Sequence, residues 1–179
     1  LACFERVVFI YIADDIVTHR QLMGIPLQPC DLDFTTCLYR YEKPASPHLS
    51  VKLANAVLDF KIITKSTQQL QQSYDAVLLE GAGGLLVPIT EQLLTLDYIA
   101  EQGYPVILVT SGRLGSINHT LLSLEAIKAR GLTLHSVIYN HIHDNAAQTD
   151  DEITNSTIDY LKNYLARHYP NSYWLQMAQ

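Results

Sequence analysis

Tyr74-Asp75-Ala76-Val77-Leu78-Leu79-Glu80-Gly81-Ala82-Gly83-Gly84-Leu85-Leu86-Val87-Pro88 decides how the rest of this chain is read. Residues 76–79 form an apolar run with the length and residue types expected of a strand buried on both faces. The run ends in an acid followed by three glycines within four residues. In an open parallel sheet, ligands bind at the carboxyl ends of strands, where the following loops form a crevice. Glycine there lets the backbone take positive φ and pass close to a ligand, and Glu80 can hold a metal ion or polarise a substrate nitrogen. The competing reading is a tight turn after a core strand, with Glu80 solvated on the rim.

Downstream, the spacing predicts an amphipathic helix over 93–102, stopped at Gly103, and then a second buried strand over 105–110. Strand, helix and strand at this spacing make a βαβ unit, whose right-handed crossover puts both strand ends on one edge. Ser111-Gly112-Arg113-Leu114-Gly115-Ser116-Ile117-Asn118-His119-Thr120 then leads into a helix with Leu121, Leu122, Leu124 and Ile127 inward. Small residues before a helix leave its first N–H groups open to a carboxylate or phosphate, although an ordinary capped start has the same look. A third strand over 136–140 ends in Asn140, whose amide suits a purine edge or simply a turn. His141-Ile142-His143-Asp144 superficially resembles a metal site but lacks a third ligand. The tail reads as a helix over 153–167 and a terminal strand or coil around 173–175.

Upstream, residues 7–13 have strand composition, and Asp14-Asp15 precede a predicted short helix over 16–24 that ends at Gly24. Residues 25–33 read as a loop and 34–41 as a strand. Pro44-Ala45-Ser46-Pro47-His48 is an extended loop that delivers Ser46 and His48 to a helix over 49–56, and a further helix is expected over 59–72.

The 179 residues, 48% apolar and 17% charged, suit one globular domain over 1–179 with a real core. A formal charge of -6 argues against a general nucleic-acid binder, which needs a basic face to release counterions. The three cysteines, Cys3, Cys30 and Cys37, are odd in number and unpaired in pattern, and read as reduced thiols of a cytoplasmic protein. No stretch reaches the roughly 20 apolar residues of a membrane-spanning helix.

Taken together, Asp15 before a helix, Pro44-Ala45-Ser46-Pro47-His48, Glu80-Gly81-Ala82-Gly83-Gly84 with Val87-Pro88, Leu114-Gly115-Ser116-Ile117-Asn118-His119-Thr120 and Asn140 resemble the dethiobiotin synthetase family. The likeness covers about residues 14–143. It implies an α/β fold related to the P-loop NTPases, a mostly parallel central sheet with helices on both faces. It implies a ligase that carboxylates one amine of 7,8-diaminopelargonate with CO2, uses ATP to form a mixed carbamic-phosphoric anhydride, and closes a cyclic urea. Carried over residue by residue, Asp15 and Glu80 would hold Mg2+ near the ATP phosphates, with Glu80 catalytic. Gly81, Ala82, Gly83 and Gly84 would line the diamine and carbamate site, bordered by Ser46 and Pro47. Ser116, Ile117 and Asn118 would receive the distal carboxylate, across a homodimer interface, and Asn140 would contact adenine.

One departure stands out. The family's glycine-rich phosphate loop, of the form G-x-x-x-x-G-K-[ST] or its longer relative, occurs nowhere in residues 1–179, and residues 1–13 do not align with the family. The expectation is an N-terminally incomplete or P-loop-less member, with a ligand-binding homologue or a cobyrinate synthetase-like relative as alternatives.

Overall fold

The computed structural model describes residues 2–4, 13–41, 45–142 and 151–177. Where the sequence suggests one domain, the chain divides into two compact units, Leu1–Tyr98 and Ile99–Gln179.

In the first unit, β1 (Ala2–Phe4) pairs in parallel with β2 (Tyr39–Tyr41), and between them lie α1 (Asp14–Met23) and α2 (Pro29–Leu32). Residues 7–12 of the expected first strand lie outside the described residues. Helix α1 ends as expected at Gly24, whose φ of 66° lets its N–H reach Gln21 O while the Ile25 N–H reaches Arg20 O. Ala13, Ile16 and Cys37 form a small core, with Leu27 packed on it.

Two local expectations change here. The segment read as a loop over 25–33 contains α2, because Pro29 sits at a helix N1 position and the Asp31 carboxylate reaches back to the Gln28 N–H at 2.7 Å. The strand expected over 34–41 shrinks to its last three residues. Asp33 Oδ1 accepts from both Thr35 N–H and Thr35 Oγ1, and Phe34 has φ 66°, so the chain turns before it extends.

Helix α3 (Pro47–Leu53) begins on Pro47, and α4 (Phe60–Gln71) is capped by Asp59, whose Oδ1 accepts from the Lys61 N–H. The Tyr39 hydroxyl brackets that cap, accepting from Asp59 N–H and donating to Asp59 O. Residues 76–79, expected as the central strand, join no ladder among the described residues: Val77 and Leu79 are half-buried, while Ala76 and Leu78 are exposed, Leu78 at 79%. A run of strand-forming side chains becomes a strand only when another backbone takes its N–H and C=O groups.

Helix α5 (Thr95–Gln102) follows. The second unit then contains the parallel sheet β3 (Val106–Ser111), β4 (Leu134–Asn140) and β5 (Tyr173–Gln176), in that spatial order. The crossovers are α6 (Ser116–Ala129) and α7 (Asp151–His168). The α/β architecture of a parallel sheet joined through helices is the expected one. Register places Leu108, Thr110, Val137 and Tyr139 on one face of the sheet, with Tyr139 and Val137 fully buried. Thr110 meets Thr120 of α6 on that face, and the Tyr169 hydroxyl just beyond α7 donates to Leu124 O, so α7 runs beside α6. On the other face Ile107, Val109 and Leu175 remain exposed.

Candidate functional site

In the first unit, the acids of interest sit on α1 and at the head of the glycine loop. Asp15 occupies the first turn of α1, exposed, where a carboxylate complements the helix dipole. His19 is one turn further along the same face, and its Nε2 lies 3.7 Å from Glu80 Oε2. Glu80 therefore lies against the flank of α1 that carries Asp15 and His19. Both side chains of the pair are substantially exposed, and no group of three or more His, Cys, Asp or Glu that could hold a metal occurs among the described residues. Two solvated carboxylates nonetheless fit Mg2+, which takes one or two protein carboxylates and fills its remaining positions with water and substrate phosphate.

Behind Glu80, Gly81 and Gly83 sit in close approach to their neighbours, while Gly84 stands in open space. A methyl group on Gly81 would lie 3.1 Å from Thr95 Cγ2, and one on Gly83 only 2.8 Å from Val87 Cγ2, with φ at 89°. The chain after them folds onto the start of α5: Leu96 N–H donates to Leu85 O, and Thr95 N–H and Oγ1 both donate to Val87 O. This anchors the loop from its far end. Ser46 is the N-cap of α3, with its carbonyl accepting from Leu49 and Ser50 N–H while its side chain makes no cap bond. Pro47 behind it is buried. His48 Nδ1 is buried without a hydrogen-bond partner.

What holds α1 in place is a contact that sequence reasoning missed. Asp31, 1% exposed, accepts from Arg20 Nε and Nη2 at 2.8 Å each, from Gln28 N–H and from Thr36 Oγ1 at 3.0 Å. Burial by itself pushes the Asp31 carboxyl up, but the Arg20, Gln28 and Thr36 donors outweigh it and hold it below the usual value. The hydrogen bond to Asp31 likewise raises Arg20. Nothing in the spacing of residues 20 and 31 signals this pair.

The second unit holds a cavity of about 310 Å³ where β3 and β4 end and α6 begins. Thr110, Ser111, Arg113, Ser116, His119 and Asn140 line its polar side, and among the described residues no acidic one does. The chain enters α6 through Gly115 at φ 88°, with no side-chain cap. Ser116 N–H is used by Arg113 O, whereas Ile117 and Asn118 N–H find no backbone acceptor among the described residues. Such a helix start offers donors and a positive dipole end to an anion. Ser116, expected at a helix start, and Asn140, expected at a strand end, thus line one cavity. Arg113 and His119 beside them are quoted in that stretch of sequence but were given no role there.

Asn140 Oδ1 accepts from Ile142 N–H at 2.8 Å, so the turn reading of this amide holds. His141, one of the metal-like residues, bonds Gln176 Oε1 through Nε2 and meets Tyr139 edge-on; His143 and Asp144 lie outside the described residues.

Comparison with known proteins agrees with these motifs. A family model described as an AAA domain matches residues 31–167. The ATP-dependent dethiobiotin synthetase BioD of Chlorobaculum tepidum is 48% identical over 157 residues, covering 88% of this chain and 64% of the relative. BioD 2 of Pasteurella multocida is 47% identical over 90% of this chain and 74% of its own length, and BioD 2 of Haemophilus influenzae 57% identical over 72% and 68%. The chain spans about two thirds of the length of these curated relatives. With the family model over most of the chain and identities near one half over most of the relatives, the chain belongs to the dethiobiotin synthetase family.

Proposed function

We propose that this protein is a dethiobiotin synthetase, which carboxylates 7,8-diaminopelargonate with CO2 and closes the ring at the expense of ATP, in the cytoplasm and as a homodimer. The observation that carries the reading is the 47–57% identity to curated ATP-dependent dethiobiotin synthetases. Mg2+, when bound, would neutralise phosphate charge as it develops. In the first unit Asp15 and Glu80 hold it through their exposed carboxylates, with Glu80 the catalytic one. Gly81, Ala82, Gly83 and Gly84 bring backbone rather than side chain against the diamine, and Ser46 and Pro47 border it. In the second unit the Ser116, Ile117 and Asn118 end of α6 receives the distal carboxylate, and Asn140 contacts adenine.

The alternative is a homologue that binds the diamine without ATP. Calorimetry with diaminopelargonate alone and with Mg-ATP alone separates them. Binding of both supports the synthetase, binding of the diamine only supports the second reading, and binding of neither removes both. Glu80→Gln sharpens the test. Losing one carboxylate charge from the metal should weaken Mg-ATP binding about tenfold, roughly 1.4 kcal/mol, without moving the melting temperature, since Glu80 is exposed. Unchanged Mg-ATP affinity in Glu80→Gln would sink its assigned role.

A further inference from the structure

Thr120 lies one turn into α6, only 4% exposed, and its Oγ1 donates to the Ser116 carbonyl oxygen at 2.6 Å. A carbonyl only accepts, so this contact commits the single hydroxyl proton of Thr120. Its 2.5 Å contact with Thr110 Oγ1 then has one possible direction, Thr110 donating and Thr120 accepting. The protons therefore run from the end of β3, through Thr120, to the carbonyl that closes the first turn of α6. That carbonyl takes this side-chain donor in addition to its place in the helical ladder.

The Ser116 carbonyl and the Ile117 N–H belong to the same peptide group. Drawing electron density toward the oxygen polarises the group and makes the N–H a stronger donor, by about 10–30% for each bond in such a chain. Ile117 N–H is one of the two amides left without a backbone acceptor. Thr110, Ser116 and Thr120 all line the cavity in which Arg113 and His119 are the charged or chargeable side chains among the described residues. A threonine bonding back to the carbonyl four residues earlier is ordinarily neutral or slightly destabilising in a helix. Here the donor supplied by Thr110 extends it into a relay that ends beneath a free amide.

We infer that Thr120, fed by Thr110, is a positioning residue that strengthens the Ile117 amide as a carboxylate donor. This rests on the proposal that the α6 end receives the substrate carboxylate. The test is calorimetry of the 179-residue chain with 7,8-diaminopelargonate and with its methyl ester. The wild type should prefer the acid. Thr120→Val, which keeps the shape and removes the hydroxyl, should lower that acid-to-ester preference about two- to fivefold, in line with a partial loss of donor strength. Thr120→Ser should restore it. Thr110→Val, which breaks the relay without altering the helix, should lower the preference too, and it serves if Thr120→Val fails to fold. A wild type that prefers the acid, with both valine variants keeping the full preference whatever their melting temperatures, overturns the positioning role alone. A wild type that binds acid and ester equally removes the carboxylate reading and this inference with it.

Discussion

Replacing Asp31 by alanine should be the most damaging single polar change in the first unit. The carboxylate accepts four hydrogen bonds and its side chain is fully buried, while the Arg20 side chain it faces is 19% exposed. Removing one partner of a buried pair costs about 3–5 kcal/mol, most of it from the charge left behind. Because Arg20 retains some contact with water, the lower end, about 3 kcal/mol, is expected. With a urea slope of about 1–3 kcal/mol per molar, the midpoint of the first unit should fall by roughly 1–3 M. The control is the double variant Arg20→Met with Asp31→Leu. It removes both charges and should recover at least about 1 kcal/mol relative to the sum of the single changes, as coupled neighbours do. The assay is urea unfolding followed by circular dichroism, with all variants at the same pH. An Asp31→Ala protein within 1 kcal/mol of wild type, or strictly additive single changes, would refute the view that this pair locks α1 to the turn at residues 28–36.

The same carboxyl sets a pH dependence. Its folded pKa lies below the ordinary 3.8 because the Arg20, Gln28 and Thr36 donors overcome the opposing effect of burial. The unfolded chain thus takes up its proton first as pH falls, so the stabilisation is complete above the ordinary value and is lost as pH drops from there through the folded value. The stability gap between wild type and Asp31→Asn, measured by urea unfolding from pH 6 to pH 3, should narrow toward the acid end; a gap that widens contradicts the assignment. Gly83→Ala should cost about 1–2 kcal/mol for the left-handed conformation, with more added by the 2.8 Å approach to Val87 Cγ2. If Gly83→Ala melts with the wild type, the loop does not need a glycine there.

The segment over 105–140 was largely legible because its signals are local. Val106 to Thr110 and Val137 to Tyr139 are runs of apolar, β-branched or aromatic residues, and Gly103 and Gly131, both at positive φ, stop the helices before each. Residues 76–79 carry equally strand-like side chains, yet no backbone partner takes them among the described residues, and composition cannot report a partner. Pro29 misled in another way: proline marks loops but also opens helices, and only the Asp31 side chain reaching back to Gln28 N–H distinguishes the cases. The candidate site divides along the same line. Glu80, the glycines, Ser116 and Asn140 are visible as motif letters. His19 against Glu80 and Thr110 against Thr120 are contacts between distant turns of chain, and only His19, four residues after Asp15, had a spacing that could have suggested it.

The acids of the first unit can be sorted by what their oxygens already do. Asp31 has its lone pairs taken by four donors in a closed environment, so it has neither the freedom nor the vacant positions to bind an ion. Asp33 spends one oxygen on Thr35. Glu80 has one contact, at 3.7 Å to an imidazole, and Asp15 none among the described residues, although both stand on the same flank of α1. A hard cation needs carboxylates that can leave water and rearrange around it, and a saturated one cannot do so without breaking its own hydrogen bonds. Asp15 and Asp31, sixteen residues apart on either side of Arg20, therefore differ in what their oxygens are free to do. Asp31 spends its oxygens on holding α1 against residues 28–36, and under the proposed metal role Asp15 would gain from that, because the helix carrying it is fixed before any ion arrives.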